Sequence, residues 1–220
     1  MTMNETDLRY EICRVGSSLF KRGYVHATAG NISARLEDGF LITPSDACLG
    51  FLEPQDLAKV GPDGRQQSGD RASKTLALHR SIYKADPVAR CVIHTHSTHL
   101  VALTLAGVWR REDILPPITP YFVMKVGHVP LMDHRRPGDP EVGEQVAQTI
   151  DKMRIRGTPI RAVMLDRLGP NVWHETPASA MAVLEELEET ARLWLMCTPR
   201  PQPLTEPQIE ELRRSFGVSW

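Results

Sequence analysis

Along the first twenty residues Leu8, Ile12, Val15, Leu19 and Phe20 recur at helical spacing, which predicts an amphipathic helix ended by Arg22-Gly23. Asn31 to Leu36 and Gly39 to Ile42 read as short strands, and Glu37-Asp38-Gly39 between them reads as a hairpin turn. A helix is predicted over Ala72 to Ala85, a strand over Val88 to His94, and a second helix over Ser97 to Ala106, stopped by Gly107. Ile114 to Arg136 is rich in Pro and β-branched residues and predicts irregular segments with two short strands. A helix from about Pro140 to Ile150 then leads to a buried strand at Ile160 to Leu165. Thr176 caps a long helix with Pro177 at its first position and Met181, Leu184, Leu187 and Ala191 as its apolar stripe. Beyond the Pro-rich spacer Thr198 to Pro203, Thr205 and Gln208 have the spacing of a capping box for a last short helix.

The order of elements is α/β, without internal repeats, and no composition shift divides the chain. We therefore expect a single domain over 1–220, with the spacer and short helix at about 198–220. Its 220 residues suffice for one sizeable core. A net charge of −1 gives no electrostatic reason to expect nucleic acid or a membrane surface as partner. Met1 to Leu8 is polar and acidic, and no apolar run approaches the roughly 20 residues needed to span a bilayer, so a cytoplasmic location is expected. Cys13, Cys48, Cys91 and Cys197 are too scattered for a disulfide framework or a CxxC zinc site.

Chemistry concentrates in four places. In His94-Thr95-His96 a strand continued through His96 would put both imidazoles on one face, close enough to share a metal; two hydrogen-bonded histidines at a strand end are the plain alternative. Thr28-Ala29-Gly30-Asn31-Ile32-Ser33 is a small-residue turn able to cradle an anion, and equally a simple tight turn. Thr43-Pro44-Ser45-Asp46 exposes hydroxyls at a strand end. Ser73, Lys74 and Thr75 fall in the first turn of the predicted helix, where free N–H groups and the positive end of the dipole favour a phosphate, with Lys74 adding a full charge.

Taken together these segments resemble the class II aldolase/adducin superfamily. Within it, Arg22-Gly23-Tyr24, Cys48-Leu49-Gly50, Ser68-Gly69-Asp70, His94 to His99, Arg136-Pro137-Gly138-Asp139-Pro140 and the Glu185 to Thr190 helix look most like the 3-oxo-tetronate 4-phosphate decarboxylase group. The resemblance implies a central, mainly antiparallel sheet flanked by helices in three layers. It also implies a homotetramer with active sites between subunits, a phosphorylated sugar-acid substrate, and a divalent metal, zinc first among the candidates. Two of the metal's histidines map onto His94 and His96, and Asn31, Ser45 and Ser73 match positions that hold the phosphate. Lys74 and Asp46 stand where the aldolases have a serine and a glycine. Lys74 is retained as a phosphate partner on electrostatic grounds, while the Asp46 carboxylate would repel a phosphate unless turned away.

Two departures bear on the reaction. The family's third histidine, in an Asn-His-Gly-Pro stretch, is here Leu168 within Arg167-Leu168-Gly169-Pro170, leaving as alternatives Asp166 or His174 as that ligand, a metal held by two histidines with water or substrate, or no stable metal. The family's acid/base glutamate is here Thr75, whose hydroxyl does not titrate in the useful range. An aldol cleavage needs a base for a hydroxyl proton, whereas a β-keto acid loses carbon dioxide once its electrons have a sink. The expected reaction is thus decarboxylation of a phosphorylated 3-oxo sugar acid to a dihydroxyacetone-phosphate-like product, a carboxy-lyase activity. A sugar-phosphate aldolase or epimerase of the fuculose-phosphate aldolase kind, and a non-catalytic member that keeps the fold, are the alternatives.

Overall fold

The computed structural model describes residues 3–220. The first helix, α1 (Glu5–Lys21), starts at Asn4, whose side chain accepts the Asp7 N–H, and it buries Leu8, Ile12, Val15 and Leu19 as their spacing predicts. β1 (Asn31–Arg35) and β2 (Phe40–Ile42) form the expected antiparallel hairpin, closed by the Leu36 N–H on the Gly39 carbonyl at 2.8 Å. The sheet then continues through β3 (Ala58–Val60) and β4 (Gln66–Ser68). Neither carries a hydrophobic pattern long enough to read, and β4 is exposed throughout.

The remaining elements are α2 (Leu76–Ala85), β5 (Cys91–His94), α3 (Thr98–Ala106), β6 (Leu131–Met132), α4 (Glu141–Ile155), β7 (Ala162–Leu165), β8 (Gly169–His174), α5 (Pro177–Met196) and α6 (Glu206–Phe216). Thr176 caps α5 by accepting the Ser179 N–H at 3.1 Å, and Gln208 reaches back to the Thr205 N–H at 2.8 Å ahead of α6. Several expectations are corrected. Helix α2 begins at Leu76, so Ser73 to Thr75 form the turn before it. Strand β5 begins at Cys91, because Pro87 and Val88 occupy a turn. Between 114 and 136 there is one short strand, β6, preceded by a π-helical turn at Phe122–Val126. Finally, the strand expected to continue through His96 ends at His94, and the stretch beginning Gly169-Pro170, for which no element is predicted, is the start of β8.

The eight strands run in the order β4-β3-β2-β1-β5-β8-β7-β6, antiparallel throughout except for the β6–β7 pair. One face carries Val92, Val163 and Trp173 against Ile82 and Tyr83 of α2 and Val146 and Ile150 of α4. The other carries Ile32, Ile93, Met164 and Val172 against α1, α3 and α5. Covering both faces explains why Cys91 to Ile93 and Ala162 to Leu165 are unbroken apolar runs rather than alternating ones. No helix among the described residues is long and apolar enough to cross a membrane.

Candidate active site at the end of the sheet

His94 is the last residue of β5 and the chemistry gathers around it. The strand stops there, so the two-residue strand period does not reach His96. A turn does the same work: Thr95 folds inward, its hydroxyl 2.6 Å from the Ser97 hydroxyl, and the His94 and His96 rings still face each other with centroids 5.1 Å apart at 70°. The Pro170 carbonyl lies 2.9 Å from His94 Nδ1. A carbonyl can only accept, so Nδ1 carries the proton and Nε2 is left as a bare lone pair. Burial, reinforced by His96, pulls the His94 imidazole down to about 4, while burial followed by the charge of His26 lowers His96. Both rings are therefore neutral at pH 7, the form that binds metals.

Two glycines let the neighbouring chain approach this segment. A Cβ on Gly169 would stand 1.9 Å from the Thr95 carbonyl oxygen, and one on Gly30 would stand 2.9 Å from the His94 carbonyl oxygen; both residues have positive φ. Only glycine fits such approaches without moving backbone.

Across the sheet, His94 sits in register between Asn31 of β1 and Asn171 of β8, so the three side chains share one face. His79 of α2 covers the same face, its Nδ1 2.7 Å from the Ser33 hydroxyl, which is itself 2.7 Å from the Tyr83 hydroxyl. Burial, with His94 second, drives His79 down to about 3 and keeps it neutral. Asn31 Oδ1, both polar atoms of the Asn171 amide and His79 Nε2 are buried without a protein hydrogen-bond partner. Such atoms cost about 1–3 kcal/mol each if left unmet, so this layer is built to hold a polar guest.

The other phosphate-binding candidates lie in the turn after β2 and in the segment before α2, next to Asn31. Ile32 N–H donates to the Thr43 hydroxyl, and Thr43 N–H to the Ile32 carbonyl, which fixes the 43–45 turn beside β1. That turn is bridged in turn to the segment before α2: Ser45 N–H reaches the Arg71 carbonyl at 2.8 Å, Ser45 Oγ the Ala72 carbonyl at 3.1 Å, and Ser73 N–H the Thr43 carbonyl at 3.3 Å. Ser45, Ser73 and Thr75 are so brought together at one sheet end, with Lys74 exposed beside them. Thr75 Oγ1 is 2.9 Å from Ser73 Oγ. Asp46, at φ +59°, is exposed and paired with Arg71 at 3.4 Å, which turns its carboxylate to a cation of its own.

Residues 10–195 match the family described as the Class II Aldolase and Adducin N-terminal domain. The chain belongs to that family. A 3-oxo-tetronate 4-phosphate decarboxylase from Cupriavidus necator is 53% identical over 98% of this chain and 99% of its own length, and one from Escherichia coli is 40% identical over 95% and 96%. The crystal structure of YgbL from Klebsiella pneumoniae, titled an aldolase/epimerase/decarboxylase, superimposes with a TM-score of 0.84 at 39% identity over 96% of this chain and all of that one. The l-fuculose-1-phosphate aldolase of Thermus thermophilus gives 0.72 at 29% over 86% and 92%.

In this class II aldolase chain the two departures are physical. Leu168 packs against the apolar cluster that includes Val163 and Trp173, so the hairpin position feeds the core instead of the histidine pair. Asp166 lies in the β7–β8 turn. His174 pairs with Cys91, three residues down β5 from His94 and so roughly 10 Å away along the strand. Among the described residues no His, Cys, Asp or Glu stands with His94 and His96 as a set of three at metal-binding distance. Sequence reasoning left Asn171 unplaced because its strand was hidden behind Gly169-Pro170, and it read His79 as a helix residue with no link to Ser33. The signal available for both was a polar residue among apolar neighbours.

Proposed function

We propose that this enzyme is a carboxy-lyase that removes carbon dioxide from 3-oxo-tetronate 4-phosphate. The observation that carries the reading is the adjacency, at one sheet end, of a histidine pair, His94 with its tautomer fixed, and a turn rich in hydroxyls and N–H groups with Lys74 beside it. The two named decarboxylases, alike over nearly the whole chain, support the same reaction.

Asn31, Ser45 and Ser73 would hold the phosphate with Lys74, fixing the far end of the substrate so that its 3-oxo group meets the histidines. The 5.1 Å ring separation and the bare His94 Nε2 suit two ligands on one ion, so His94 and His96 would hold a divalent metal, and neutral imidazoles favour zinc. When bound, such a cation supplies the Lewis acidity that draws electron density toward the ketone oxygen. The C1–C2 bond breaks, its electrons enter the C2–C3 bond as an enediolate, and carbon dioxide leaves. A proton from water then reaches C2, giving dihydroxyacetone phosphate. Thr75, held by Ser73, offers no carboxylate, which disfavours an aldol cleavage and leaves decarboxylation undisturbed. We read the assembly as a homotetramer with sites between subunits, for which exposed Phe51, Leu105 and Tyr121 supply apolar surface.

The test is incubation of the purified protein with 3-oxo-tetronate 4-phosphate, following carbon dioxide and the phosphorylated ketone, with Lys74→Ala and the unphosphorylated acid as comparisons. Carbon dioxide release and a Michaelis constant raised by Lys74→Ala for the phosphorylated acid alone are expected, a charge-assisted contact being worth roughly 1.5–3 kcal/mol. Aldehyde formation without carbon dioxide would assign an aldolase instead.

A further inference from the structure

His26 lies in the loop between α1 and β1, exposed, with its ring centroid 6.4 Å from that of His96 and the planes at 71°. The loop is fastened on both sides of this residue to the histidine segment. On one side the Ser97 hydroxyl donates to the Tyr24 carbonyl at 3.4 Å; on the other, Gly30 packs on the His94 carbonyl so closely that only glycine fits. Within the loop, Ala29 N–H closes on the His26 carbonyl at 2.9 Å and Ala27 takes φ +47°, a compact turn that fixes the backbone around His26. The fold thus presents a third imidazole beside His96, while Leu168 of the hairpin is committed to the core.

We infer that His26 completes a three-histidine divalent-metal site with His94 and His96, in place of a ligand from the β7–β8 hairpin. Two imidazoles on one tetrahedral ion have ring centroids roughly 5 Å apart, which the His94–His96 pair already meets; His26 stands 6.4 Å from His96, so as the side chains stand the set is open and rotation of the exposed His26 side chain would close it. Three protein ligands would leave the fourth tetrahedral position free for substrate, as an open catalytic site requires. This inference rests on the metal-site part of the proposed function.

Titration of the chelator-stripped protein with Co²⁺ alone, read by calorimetry and by the cobalt absorption spectrum, tests it. His26→Ala should weaken Co²⁺ binding by at least about 100-fold and weaken the tetrahedral bands, while His134→Ala, exposed just beyond β6 at the edge of the sheet, leaves both unchanged. His26→Cys gives a direct readout, because a thiolate in the coordination sphere adds a near-ultraviolet charge-transfer band to the cobalt spectrum. Unaltered affinity in His26→Ala, or no such band in His26→Cys, overturns the inference. If His94→Ala abolishes binding while His26→Ala does not, only the inference fails; if the parent binds no Co²⁺, the metal reading falls with it.

Discussion

Glu188 and His99 meet twice across 89 residues of sequence: the buried Glu188 Oε1 accepts the His99 backbone N–H at 2.9 Å and lies 2.8 Å from its Nδ1. The second carboxylate oxygen accepts the Leu100 N–H at 3.1 Å. A carboxylate on α5 thus caps the N-terminus of α3, where its charge meets the positive end of the helix dipole. Because α3 follows directly after the His94–Ser97 segment, this cap fixes where the histidine pair sits relative to the rest of the core.

Glu188→Ala should therefore cost about 3 kcal/mol, the scale for breaking a buried charged contact and leaving its donors unmet. Urea unfolding measures it. A loss below about 1 kcal/mol would mean that water caps α3 equally well.

His79 predicts an acid-sensitive stability. Burial first, then His94, lowers its folded value to about 3 from an ordinary 6.5. Between those values the unfolded chain binds a proton that the folded chain refuses, so stability falls as pH drops from about 6.5 toward 3, by up to roughly 1.4 kcal/mol per pH unit. Above pH 7 the residue contributes no slope. Urea midpoints from pH 4 to 7.5 should show a shallower acid slope for His79→Leu than for the parent in metal-free protein. Equal slopes would assign the acid sensitivity to another group, His94 being the first.

The Asn171 amide, buried with no protein partner, should be a burden to the free fold. Asn171→Val is expected to raise unfolding stability by about 1 kcal/mol, since replacing an unmet polar group by an apolar one of similar size removes its desolvation cost. A loss of stability would show that enclosed water satisfies the amide in solution.

The four free thiols should differ sharply in reactivity. Cys197 is exposed, whereas burial raises Cys13 to about 11 and pushes Cys91 far above its ordinary value. At pH 8 a disulfide reagent should label Cys197 first and Cys91 only on unfolding. Cys13 labelling should accelerate as pH rises toward 11. Peptide mapping after timed quenching identifies the order, and labelling of Cys91 in the folded protein would contradict the packing of β5.

The sequence by itself determined the elements whose pattern is local. The stripe Leu8, Ile12, Val15, Leu19 gave α1, Thr176-Pro177 placed the start of α5, and Thr205 with Gln208 placed α6, because helix periodicity and end-capping are written within a few residues of each other. The residues singled out by the resemblance, His94-Thr95-His96, Asn31, Ser45 and Ser73, are brought together by the fold at one sheet end. Tertiary structure alone decided the rest. Strands β3 and β4, three residues each, exist only through pairing, β3 on β2 and β4 on β3, and β8 begins at a Gly-Pro against which the Thr95 backbone closes. The neighbour of His94 on β8 was equally hidden, since Asn171 comes from 77 positions further on. Register across antiparallel strands brings such residues together, and register depends on which strands pair, a property of the whole sheet that no short window of sequence contains.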